Sequence, residues 1–173
     1  MGFDVVVLAG GRSSRFGADK VGLLLDGVLD DLPAEAVVVC VGPARATRRA
    51  GVCWVREDPA FGGPLAAVAV GVTQGENPLV VLLGADMPRV GRAVPTLVEA
   101  AGTSHGAVLL DAEGRPQVLA TAWRRQVLQT RLAAIGEPEG RPVRLLLEGA
   151  ALVPVADQWG AAHDIDTPAD LDT

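Results

Sequence analysis

The run LAGGRSSRFGADK, residues 8–20, sets adjacent glycines, two arginines and a lysine directly after an apolar segment. Gly10 and Gly11 let the backbone turn tightly and approach a ligand with no Cβ in the way. Successive N–H groups in such a turn form an anion nest. Arg12, Arg15 and Lys20 add fixed positive charge around it. That combination suits a polyphosphate. The same residues also make an ordinary solvated glycine turn, and the residue types alone leave both readings open. Two common nucleotide loops are disfavoured: there is no GxxxxGK[ST], and adjacent glycines do not make GxGxxG. Three further segments gather carboxylates with glycine or proline: EDPAFGGPLA from residue 57, GADMP from residue 84 and HDIDTPADLD from residue 163.

Each of these segments follows an apolar run that reads as a strand. Residues 4–8, 36–41, 52–56 and 79–83 are continuous and rich in valine and leucine, without alternation. That suits strands buried on both faces of a parallel sheet. Residues 107–111, 118–123 and 151–155 are later candidates, expected nearer the periphery. Helical stretches lie between. Residues 63–74 open with Gly-Pro, a helix-start signal. Residues 91–102 end at glycine, and 123–136 set Trp123, Val127, Leu128, Leu132 and Ile135 on one face before Gly136. Residues 23–32 and 140–149 read as short helices, the first with an unfavourable Gly27 in its middle. The alternation predicts one α/β domain over residues 1–173, a Rossmann-like three-layer sandwich with a mostly parallel central sheet. Ligands bind such sheets at the carboxyl ends of the strands, where the charged and glycine-rich segments fall.

The net charge of −6 argues against a general nucleic-acid binder. A basic loop on an acidic chain is better matched to a small anion. Cys40 and Cys53 lack metal or redox spacing and read as buried, inert thiols in a reducing compartment. The first apolar run is far too short for a signal peptide or membrane span, so the expectation is a cytoplasmic protein with no membrane partner. His105 and His163 read as surface residues, and Trp54, Trp123 and Trp159 as core or rim packing.

The run from Leu8 to Lys20 matches throughout the pattern L-A-G-G-x-S-x-R-x-G-x-D-K. That pattern belongs to the MobA-like nucleotidyltransferases, the family of molybdenum cofactor guanylyltransferase. EDPAFGGPLAAVAVG, LLGADMP and DIDTPADL resemble the family's later segments in the same order, the last with aspartates where the family has asparagines. The resemblance implies a nucleotide-diphospho-sugar transferase-like fold. It implies transfer of GMP from GTP to the terminal phosphate of molybdopterin or molybdenum-molybdopterin, with Mg²⁺ and release of pyrophosphate. By matching positions it implies that Leu8, Ala9 and Gly10 hold the guanine and ribose side of the nucleotide through their backbone, with Gly11 beside them as a further nucleotide-binding candidate. It further implies that Lys20 contacts the phosphates, Asp58 binds the nucleoside, and Asp86 binds Mg²⁺ and the nucleotide. Proteins that hand the cofactor over would be transient partners. The family's asparagine after its second strand has no counterpart in VVVCVGPAR. The stretch after Lys20 is also shorter than the pattern. That fits a naturally shorter chain or a mobile loop missing from the sequence, and the join in LLLDGVLDDL favours the second.

The chemistry suits these residue types. Attack on an α-phosphate needs charge neutralisation and in-line positioning more than covalent help. Arg15 and Lys20 supply cations. Mg²⁺ uses one or two carboxylates; Asp86, at a strand end, is the first, and Asp166 is preferred to Asp164 as the second. Asp166 or Thr167 before Pro168 equally reads as a helix cap, and the two roles can coexist. No histidine base is required, since a phosphate monoester has a second pKa of about 6. Arg115 and Gln117 are candidates for the acceptor side, or simply for a hairpin turn. Gly10–Gly11, where cytidine-using relatives tend to carry Ala-Gly, favours GTP over CTP. A transferase for another phosphorylated acceptor, and a catalytically weakened nucleotide-binding partner protein, are the alternatives.

Overall fold

The computed structural model describes residues 1–11 and 19–172, so Arg12 and Arg15 lie outside the described residues. The chain builds one seven-stranded sheet in the order β3-β2-β1-β4-β6-β5-β7. The strands are β1 (Phe3–Leu8), β2 (Val37–Val41), β3 (Cys53–Val55), β4 (Leu79–Gly84), β5 (Gly106–Leu110), β6 (Pro116–Arg124) and β7 (Val153–Ala156). Pairs β1–β2, β1–β4, β2–β3 and β5–β7 are parallel, and β6 alone runs against its neighbours β4 and β5. The helices are α1 (Lys20–Asp30), α2 (Pro64–Val72), α3 (Val94–Gly102) and α4 (Arg125–Ile135). Among the described residues no helix is long and apolar enough to cross a membrane.

The continuous apolar strands divide by parity. Val5, Val7, Val38, Cys40, Val81 and Leu83 pack on the face covered by α1 and α3. Val6, Val39, Val41, Val80 and Leu82 pack on the opposite face, under α2 and α4. A strand buried on both faces has no polar position to spare, which is why these runs do not alternate.

Four expectations change. β6 is not peripheral: it sits between β4 and β5, with Ala120, Thr121, Ala122 and Trp123 fully buried. Trp123 belongs to that strand rather than to the α4 face, and its indole N–H donates to Thr121 Oγ1 at 2.9 Å. Residues 140–149 hold only a 3₁₀ turn, Val143–Leu146. Cys53 is exposed on the edge strand, while burial, with Cys53 nearby, pushes the Cys40 thiol up to about 12.

α1 takes in LLLDGVLD of this stretch, with Leu24, Leu25, Val28 and Leu29 buried, and ends at Asp30. Asp19 caps it, accepting from Gly22 N at 3.1 Å, and Arg45 Nη1 binds the other Asp19 oxygen at 2.5 Å. Gly27 lies in a tight contact. A Cβ there would lie 3.2 Å from the Pro88 carbonyl oxygen, in the turn that follows β4. At its far end the helix is closed by Arg49, whose guanidinium donates to the carbonyls of Leu32 and Pro33 at 3.1 and 2.8 Å.

The amino ends of the strands carry a buried ion pair. Asp4 is 2% exposed and accepts from the Arg125 guanidinium and from Asn77 Nδ2, the latter at 2.6 Å. Arg125 also donates to the carbonyls of Asn77 and Val72, both at 2.6 Å. This network ties β1, α2, the turn before β4 and α4 together at the end of the sheet away from the cavity described next.

Candidate active site

A cavity of about 780 Å³ opens at the carboxyl ends of β1, β2, β3 and β4. Of the residues expected from the sequence, Leu8, Gly10, Gly11, Lys20, Asp86 and Asp166 line it. Ala9 does not: it is buried, and its N–H donates to the Val41 carbonyl at 2.9 Å. The Leu8 carbonyl accepts from Ala85 N at 3.1 Å. The sheet therefore already engages two of the backbone groups expected at the nucleotide.

Local backbone chemistry shapes the glycine loop. Gly11 has φ +126°, and among the described residues nothing lies within 4 Å of where its Cβ would be, so it is a turn position that glycine fills without strain. Gly42, φ +151°, follows β2 and lies flat against the loop. A Cβ there would come within 2.8 Å of Ala9 C and Gly10 N.

Asp86 sits just past β4, half-buried. Gly84 makes room for it: a Cβ at position 84 would fall 2.6 Å from Asp86 Oδ1. Burial raises the Asp86 carboxyl above the ordinary carboxylate range; Lys20 partly offsets this, and Asp164 and Asp166 add to it. Lys20, the first residue of α1, places Nζ 3.3 Å from Asp166 Oδ1. That pair is largely solvent-facing on the Asp166 side, so it contributes at most about 1 kcal/mol and is readily exchanged for a ligand.

The closing DIDTP segment reaches this point by two devices. Asp157 accepts from the N–H groups of Trp159, Ala161 and Ala162 at 2.9–3.0 Å, turning the chain after β7. Burial alone would raise its pKa, but these donors hold it below the ordinary range. Ile165 N then donates to the Asp86 carbonyl at 2.8 Å, and the Ile165 side chain is buried with Leu24. Asp166 faces Lys20 as a result. Capping falls to Asp170, which accepts from Thr167 N at 2.7 Å and Thr167 Oγ1 at 2.9 Å.

Other expected residues lie elsewhere. Asp58 is exposed and absent from the cavity lining, whereas its neighbour Glu57 lines the cavity, with Oε1 accepting from Phe61 N at 3.1 Å. Glu57 continues the parity of Val55, which packs on the α2 face, and that alternation was the available signal. Arg115 and Gln117 both bind Asp111 in the β5–β6 turn, the hairpin alternative. Leu119 joins the lining from β6. His163 is exposed beside Arg89 and Asp170, at a small separate cleft.

A nucleotide-sized cavity at strand carboxyl ends, with a lysine opposed to carboxylates, agrees with what comparison with known proteins finds. The model of the MobA-like NTP transferase domain matches residues 5–152. The chain belongs to the MobA-like NTP transferase family. Within that family, a molybdenum cofactor guanylyltransferase from Serratia proteamaculans (strain 568) is 29% identical over 186 aligned residues, covering 95% of this chain and 90% of its own. Among solved structures, molybdopterin-guanine dinucleotide biosynthesis protein A from Archaeoglobus fulgidus superposes with a TM-score of 0.72 at 19% identity, covering 98% of this chain and 95% of its own. The 2-C-methyl-D-erythritol 4-phosphate cytidylyltransferase from Thermus thermophilus gives 0.66 at 20% identity, with 99% and 96% covered. The fold is the nucleotide-diphospho-sugar transferase-like α/β sandwich expected, and membership of the MobA-like family makes the chain a nucleotidyltransferase.

Proposed function

We propose that the chain transfers GMP from GTP to the terminal phosphate of molybdopterin or molybdenum-molybdopterin, releasing pyrophosphate. The observation that carries this reading is the juxtaposition of Lys20 with Asp86 and Asp166 at the end of a cavity large enough for a nucleotide. The relative from Serratia supplies the guanylyl and molybdenum-cofactor terms.

Lys20 would neutralise charge on the phosphates as the bond to the leaving pyrophosphate breaks. Doing so means leaving Asp166, and that solvent-facing pair is weak enough to yield. Asp86 and Asp166 are hard oxygen donors in a locally negative site, which fits Mg²⁺ and its use of one or two carboxylates beside substrate phosphates. The ion would supply further charge neutralisation. Asp86, held by the Gly84 gap, and Asp166, held by the Ile165 anchor, are the residues that would hold it. The acceptor phosphate is largely ionised near pH 7, its second pKa being about 6, so no general base is needed. Arg15 is assigned a second phosphate contact by the signature pattern alone. Glycine backbone at Gly10 and Gly11 lets the nucleotide approach closely.

The test is pyrophosphate release from GTP or CTP with Mg²⁺, with and without molybdopterin. The reading predicts acceptor-dependent release from GTP. Release from CTP with another phosphorylated acceptor would replace it with a different transferase. Nucleotide binding without release under any acceptor would make the chain a nucleotide-binding partner protein instead.

A further inference from the structure

Lys20 is the first residue of α1, so whatever fixes the start of that helix fixes where the lysine side chain leaves the backbone. The segment after β2 follows α1 from its first turn to its end, using Arg45, Arg48 and Arg49. Arg49 closes the far end on the Leu32 and Pro33 carbonyls. Arg48 holds the second half: its backbone N–H donates to Asp26 Oδ1 at 2.9 Å and its guanidinium binds Asp30. Arg45 reaches the first turn, where Nη1 meets Asp19 Oδ2 at 2.5 Å, one residue before Lys20. The root of this segment is fixed to the strand ends. Gly42 N donates to the Val55 carbonyl at 2.8 Å, and Gly42 lies against the backbone of Ala9 and Gly10. Arg45 is therefore carried by the same strand ends that carry the cavity.

We propose that Arg45 is a positioning residue for the transfer, holding Lys20 at the cavity through Asp19. The proposal rests on the reading of Lys20 as the group that neutralises phosphate charge. The two Asp19 oxygens have separate tasks. Oδ1 accepts from Gly22 N at 3.1 Å and sets the helix start; Oδ2 takes Arg45 and ties that start to the strand ends. The Arg45 guanidinium, and after it the Gly22 N–H, hold the Asp19 carboxyl below the ordinary carboxylate range, so the pair is charged at neutral pH. Gly22 leaves room for it: a Cβ there would lie 2.6 Å from Asp19 Oδ2 and 3.2 Å from Arg45 Nη1. Stability does not account for the arrangement. The Asp19 side chain is 65% exposed, a setting in which an ion pair contributes little, and Arg48 and Arg49 already dock the rest of the helix. Position does account for it, because displacing a catalytic group by about 1 Å can cost about a hundredfold in rate. The Lys20 side chain is 15% exposed, which leaves it little freedom to swing and absorb a shift of its own Cα.

The experiment is a double-mutant cycle on the full chain, read as kcat for pyrophosphate release at saturating GTP, Mg²⁺ and molybdopterin. Arg45→Ala should lower kcat about tenfold, less than the loss of Lys20 itself. Its urea midpoint should stay close to wild type. In a Lys20→Ala background, Arg45→Ala should lower kcat no further, because the group it positions is gone. Asp19→Asn keeps an acceptor for Gly22 N and removes the charge that Arg45 meets. It should lose turnover to a similar extent, with the same dependence on Lys20. A loss of equal size with and without Lys20 is what a merely structural role gives, and it would overturn the proposal. Wild-type kcat in Arg45→Ala would overturn it too, as would an active Asp19→Asn beside an impaired Arg45→Ala. Wild type releasing no pyrophosphate from GTP would instead overturn the guanylyl-transfer reading, and this proposal with it.

Discussion

Asp86 has an environment that opposes its own charge. Burial and the nearby Asp164 and Asp166 hold its pKa above the ordinary value, with Lys20 only partly compensating. The folded state therefore favours the protonated form, and stability is lost as pH rises through the raised pKa. Asp86→Asn should consequently melt above wild type at pH 7 in differential scanning calorimetry. The gain should vanish below about pH 4, where the wild-type carboxyl is protonated in both states. The same variant should lose most turnover. Wild-type turnover in Asp86→Asn would remove Asp86 from the site, and a lower melting point at pH 7 would contradict a carboxyl whose charge is opposed by burial. Lys20→Ala should slow transfer by about a hundredfold or more, measured as pyrophosphate release at saturating nucleotide. Lys20→Arg should not restore it fully, because a planar fork replaces a point charge. At this scale the sequence located the residues that motif spacing names: Lys20, Asp86 and Asp166. Which of the adjacent Glu57 and Asp58 lines the cavity was not legible, because adjacent carboxylates differ only in which way each side chain points past the strand end.

At the scale of elements, the loop after β1 is held by the segment after β2. Gly42→Ala would set a Cβ 2.8 Å from the Ala9 and Gly10 backbone, at a φ of +151° that side chains rarely adopt. Backbone cannot give way as a flexible side chain can. The expected outcome is weakened GTP binding, read by titration, with the sheet intact by circular dichroism. Gly71→Ala tests the opposite kind of contact. Its Cβ would meet Val6 Cγ1 at 2.5 Å where α2 crosses β1, and overpacking of this kind costs about 1–3 kcal/mol in urea unfolding. Helix starts and stops were legible: Gly63-Pro64 opens α2 and Gly136 ends α4. Gly27 was not, since its cost as a helix residue is local while its reason, the Pro88 carbonyl, comes from another part of the chain.

For the molecule as a whole, residue periodicity predicted the layers but not the order of the strands. Buried apolar runs look alike whether parallel or antiparallel, so the reversed β6 between β4 and β5 leaves no mark on the sequence. Nor did Asp4 announce its partner, because Arg125 lies 121 residues away. Removing either member of the pair should cost about 3–5 kcal/mol, since it strands the other charge in the interior. Asp4→Ala should accordingly lower the urea midpoint while leaving turnover per folded molecule unchanged, the pair being at the amino ends of the strands and the cavity at their carboxyl ends. The central claim concerns which phosphorus moves. GTP labelled at the α-phosphate, incubated with the chain, Mg²⁺ and molybdopterin, should deliver its label to the pterin as a guanine dinucleotide. GTP labelled at the γ-phosphate should deliver its label only to pyrophosphate. Label from the α-phosphate that remains in GTP, or appears as free GMP or GDP with the pterin unmodified, would contradict the account.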